Sequence, residues 1–77
     1  MNKDRRKALS KVQEQLEEIK DAIESLKEEE EEYRDNMPEN LWGSERYEKA
    51  ENAIRELDDA INALGEASSS IEEAVSE

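Results

Sequence analysis

Carboxylates dominate whatever chemistry this chain could do. Glu28 to Glu32 form an unbroken run of five, and Asp35 and Glu39 follow closely. Such a cluster can attract a divalent cation or imitate the charges of a phosphate backbone. A like-charge run on a helix is, however, ordinarily a solvated face. The Asp, Asn and Glu residues between Asp35 and Trp42 lack the alternating spacing and mid-loop glycine of an EF-hand. The chain has no His, so the Glu-x-x-His pairs of di-iron bundles cannot be built and the commonest general base is missing. It has no Cys, which removes thiolate chemistry, disulfides and zinc ribbons. Ser and Lys occur without an activating partner at a recognisable spacing. The reading is a non-enzymatic protein with no catalytic residue, no metal ligand and no cofactor.

Two other groups could recognise something. Met37, Leu41 and Trp42 cluster in the stretch that also holds Tyr33, Tyr47, Pro38 and Gly43. Tryptophan and tyrosine are frequent anchors at interfaces, and the same residues could equally plug the end of a helical bundle. Arg5, Arg6 and Lys7, with Lys3 and Lys11 nearby, could meet a small anionic ligand, or could pair with the acidic C-terminus of the same chain. The net charge of −12 opposes direct binding to nucleic acid, which needs Lys and Arg on phosphates, and opposes anionic membranes. It suits a basic protein partner or simple solubility. No apolar run follows the basic start and none is long enough to span a bilayer, so the expectation is a cytoplasmic location.

The elements that must position these groups are legible in the periodicity. Leu9, Val12, Leu16, Ile19, Ile23 and Leu26 follow one another at alternating steps of three and four. This is a heptad seam with Leu9, Leu16 and Ile23 at a and Val12, Ile19 and Leu26 at d. It predicts a first helix from about Lys3 to Arg34, with Glu30 and Tyr33 as its last a and d positions. A second seam has Tyr47, Ile54, Ile61, Ser68 and Val75 at a and Ala50, Leu57, Leu64 and Ile71 at d, predicting a helix over about 44–75. Gly65 and Ser68 to Ser70 are poor helix formers, and the helix is expected to soften after residue 65. The connector, about 35–43, should contain one short turn after Pro38, a positive-φ Gly43, and Ser44 as the next N-cap.

At 77 residues the chain is a single domain, 1–77. The expected fold is all-α, an antiparallel two-helix hairpin. In one register Leu16 faces Leu64, Ile19 faces Ile61, Leu26 faces Ile54 and Tyr33 faces Tyr47. The e positions then align Arg6 with Glu72, Lys20 with Asp58 and Lys27 with Glu51. The opposite edge carries alanines at g: Ala8 and Ala22 in the first helix, Ala53, Ala60, Ala67 and Ala74 in the second. An a/d/g face is wider than a two-stranded seam and calls for more neighbours. Two hairpins joined through Ala8, Ala22, Ala53, Ala60 and Ala67 would make a four-helix bundle, so a homodimer or higher homo-oligomer is expected.

The blocks RRKALSKVQEQLEEIKDAIE and NMPENLWGSERYEKAENAIRELDDAI resemble a group of small acidic helical proteins from Gram-positive bacteria, their phages and mobile elements, in which an NxPExLxxSER connector joins two helices. The resemblance spans about Arg5 to Leu64. It implies a mobile-element setting and supplies no site residue. Two functions remain in view. One is a self-associating assembly or protein-interaction module. The other is a phage or mobile-element counter-defence protein, acting on a basic host protein as an acidic DNA mimic or holding a nucleotide signal as a sponge.

Overall fold

The computed structural model describes residues 1–76 as two long helices packed antiparallel, an all-α hairpin. Helix α1 spans Lys3–Asp35 and helix α2 spans Glu45–Ser76, with one 3₁₀ turn at Glu39–Leu41 between them. The rod measures 59 × 15 × 12 Å.

Local chemistry explains each boundary. Asn2 caps α1: its side-chain oxygen accepts the Arg5 backbone N–H at 2.8 Å, satisfying one donor that no preceding turn can reach. At the other end the Asn36 and Met37 N–H groups still donate to Glu32 and Arg34 carbonyls. Pro38 then sits at φ −58°, ψ 146°, and the helix cannot continue. The Leu41 and Trp42 N–H groups close the 3₁₀ turn onto the Pro38 and Glu39 carbonyls at 2.9 and 3.1 Å. Gly43 takes φ 84°, a left-handed conformation that side chains with a Cβ rarely adopt. Ser44 restarts the helix, its hydroxyl accepting the Tyr47 N–H at 3.3 Å. Beyond that point α2 runs unbroken through Gly65 and Ser68 to Ser70 as far as Ser76.

The packing departs from the expected seam in one respect that matters later. On α2 the inward residues are the expected a and d positions, from Tyr47 through Ala50, Ile54, Leu57, Ile61, Leu64, Ser68 and Ile71 to Val75, all buried or half-buried. On α1 the half-buried a residues Leu9, Leu16, Ile23 and Glu30 are joined by the e residues Gln13, Lys20, Lys27 and Arg34. The d residues Val12, Ile19, Leu26 and Tyr33 are exposed. Helix α1 is thus rotated about its axis, so that its a/e edge, not its a/d edge, rests on α2. The pairings Ile19 with Ile61 and Leu26 with Ile54 are not formed as core layers. Nor is a Tyr33–Tyr47 layer, for Tyr33 is exposed and Tyr47 takes Trp42 as its aromatic neighbour.

The polar ladder shifts with the rotation. Lys27 Nζ bonds Asp58 Oδ1 at 3.0 Å, where the expected partner was Glu51. Gln13 Nε2 reaches Glu72 Oε2 at 3.2 Å and the Ser68 carbonyl at 3.1 Å, so the acid expected opposite Arg6 is met one heptad further along. Long polar side chains can lie inward here because their aliphatic stems cover apolar surface while their heads reach water. The resulting core is thin. Among the described residues the buried apolar side chains are Met37, Ala50 and Ile61.

Candidate interaction surface

The rotation of α1 leaves Val12, Ile19, Leu26 and Tyr33 in a row, one per heptad, at 39%, 49%, 56% and 48% exposure. Single exposed apolar residues need no explanation, but four at a fixed seven-residue repeat along one helix form a regular stripe. The stripe's position is set by geometry. Successive residues turn about 100° around a helix, which puts d roughly 80° from the α1 contact direction midway between a and e. The e positions of α1 and α2 meet along one edge, marked by Lys27–Asp58 and Gln13–Glu72. The α1 d stripe and the α2 g positions therefore share the opposite face.

Those g positions are the alanines. Ala53 and Ala60 are half-buried at the margin of the hairpin core, and Ala67 and Ala74 are exposed. On α1, Ala8 and Ala22 are exposed and flank the stripe. The structure brings the five alanines expected at an interface onto or beside one face of the rod. The four larger residues on that face were expected in the core. The signal that could have placed them outside lies in Gln13, Lys20, Lys27 and Arg34, which repeat every seven residues and can each cover α2 with a long stem.

The tip separates the three candidate contact residues. Met37 is buried and closes the end of the hairpin. Leu41 is half-buried. Trp42 is 53% exposed yet tied down on two sides. Its indole N–H donates to the Met37 carbonyl at 3.1 Å, and its ring lies 6.2 Å from that of Tyr47 at a 37° tilt. Such tilted aromatic pairs are favourable contacts.

Arg5, Arg6 and Lys7 all lie exposed on the first turns of α1. Among the described residues no ion pair joins them to the acidic end of α2, where Glu72 accepts from Gln13 instead. Glu77, counted in that acidic end, lies outside the described residues. A groove along the rod, about 940 Å³, is lined by Lys20, Glu24, Ile61, Gly65, Glu66 and Ser69, and none of the three basic residues reaches it. Among the described residues no group of carboxylates is arranged to hold a metal ion, and Glu28 to Glu32 spread around the helix instead of converging. The Lys27 ammonium is held above its ordinary range by its hydrogen bond to Asp58, and the Arg34 guanidinium likewise by Asp35. Both are structural ion pairs on the surface, not poised acid–base groups. No helix in the described residues is long and apolar enough to cross a membrane.

Compared with family models, curated proteins and solved structures, the chain matches none.

Proposed function

We propose that this protein is a non-enzymatic assembly module that associates with itself through the face carrying Val12, Ile19, Leu26, Tyr33 and the alanine repeats. The exposure of those four residues at heptad spacing carries the reading. A hairpin whose buried apolar side chains are so few is a marginal fold alone, because a small core barely offsets the entropy of ordering the chain. Surface area points the same way. The chain exposes 5900 Å² for a mass of 8.9 kDa. Surface-to-mass scaling gives roughly 4,800 Å² for a compact monomer of that mass. The excess, roughly 1,100 Å², is of the order that one partner buries in a stable interface.

The test is mass in solution. Sedimentation equilibrium at micromolar concentration should return a dimer or larger closed assembly, and Ile19→Asp should shift it to the monomer. A fully helical monomer of 8.9 kDa for the unaltered chain would overturn the proposal.

A further inference from the structure

We infer that the partner on this face is a second copy placed with its connector at the same end, so that α1 of each copy packs on α2 of the other. This rests on the self-association proposed above and specifies its geometry. Two hairpins can stack face to face about a twofold axis in two ways. If the axis runs along the rod, α1 meets α2 of the second copy. If it runs across the rod, α1 meets α1 and α2 meets α2.

Size favours the first arrangement. The α1 stripe consists of large residues and the α2 stripe of alanines, each on a seven-residue repeat. Stacking α1 on α2 sets large against small along both seams and spaces the helices evenly. Stacking like on like sets Ile19 and Leu26 against their own kind on one side and alanine against alanine on the other. The two seams would then demand different separations, and close packing tolerates neither the void nor the overlap.

Height agrees as well. An axis along the rod leaves every residue at its own level. Within one hairpin Lys27 lies level with Asp58, and Gln13 lies between the levels of Ser68 and Glu72. Leu26 therefore falls between Ala53 and Ala60 of the second copy, Ile19 between Ala60 and Ala67, and Val12 between Ala67 and Ala74. Each large side chain enters the gap between two alanines, which is the arrangement of a knob in a hole.

Charge does not separate the two arrangements. Helix α1 carries eight basic and twelve acidic residues and α2 three basic and nine acidic, so both helices are net acidic. Arg5, Arg6 and Lys7 meet Glu72 and Glu73 of the second copy in one arrangement and Glu28 to Glu32 in the other.

Spin labels decide the matter. Asn40 is exposed in the connector and the chain has no Cys, so Asn40→Cys takes a single nitroxide. Dipolar spectroscopy should give an inter-copy distance of about 20–35 Å, set by helices spaced roughly 10 Å apart plus the label arms. A distance near the 59 Å length of the rod would overturn the arrangement and leave self-association standing. Absence of any inter-copy distance, with a monomer mass, would overturn both. Independently, Ala67→Leu fills a gap that Ile19 or Val12 must enter, and Ala67 is exposed in the single hairpin. That variant should stay helical and weaken association by roughly tenfold or more, the usual scale for overpacking. Unchanged association would overturn the placement of the large residues between the alanines.

Discussion

Trp42 shows how one side chain can serve packing and remain partly outward. Its N–H is satisfied by Met37 and its ring braces Tyr47, while about half of its surface faces water. Those contacts depend on the connector backbone turning sharply at Gly43, whose φ of 84° no other residue in the described chain shares. There is open space where a Cβ would project, so substitution meets no clash and the penalty is purely conformational. Gly43→Ala should lower the stability of the hairpin by about 1 kcal/mol, the cost of holding a residue with a Cβ in the left-handed region. Urea denaturation followed by circular dichroism measures it. An unchanged midpoint would mean that the connector relaxes into another turn at no cost.

At the scale of the element, α2 is the better-built helix. Its Ser44 cap, its alanines and its continuous a/d seam agree with one another, and it contributes two of the three buried apolar residues. Gly65 is its weak point, since glycine in a helix interior costs roughly 0.5–1 kcal/mol relative to alanine. Nothing lies within 4 Å of the Cβ position that alanine would add. Gly65→Ala should therefore raise the melting temperature, with a gain of about 0.5–1 kcal/mol at the midpoint. A lower melting temperature would show that Lys20, across the groove from Gly65, needs the space that the missing side chain leaves.

The whole molecule is a slender rod carrying a net charge of −12, and self-repulsion opposes both folding and association. The ion pairs among the described residues are few and lie at the surface, where solvent screening leaves each of them weak. Screening the long-range repulsion should therefore outweigh screening the pairs. Raising sodium chloride from about 10 mM to about 1 M, which shortens the Debye length from roughly 30 to 3 Å, should raise the melting temperature and favour the larger assembly. A fall on adding salt would show that Lys27–Asp58 and the charges between copies dominate instead.

Much of the fold was set by interactions within a few residues, and these are legible in the amino-acid sequence. The heptad period, the Ser44 cap, the stop at Pro38 and the turn at Gly43 each follow from local sterics and hydrogen bonding. The antiparallel hairpin follows from two such helices and a short connector. The rotation of α1 about its own axis could not be read in that way. Its a/d and a/e edges are both spaced to pack along a partner helix, one with apolar side chains and the other with the stems of Gln13, Lys20, Lys27 and Arg34. The choice depends on what α2 presents across the gap, where Asp58 and Glu72 receive the polar heads of Lys27 and Gln13. Those groups meet α1 only when residues more than thirty positions apart come together. Tertiary packing alone decided that Val12, Ile19, Leu26 and Tyr33 lie outside the hairpin core, on the same face as the alanines.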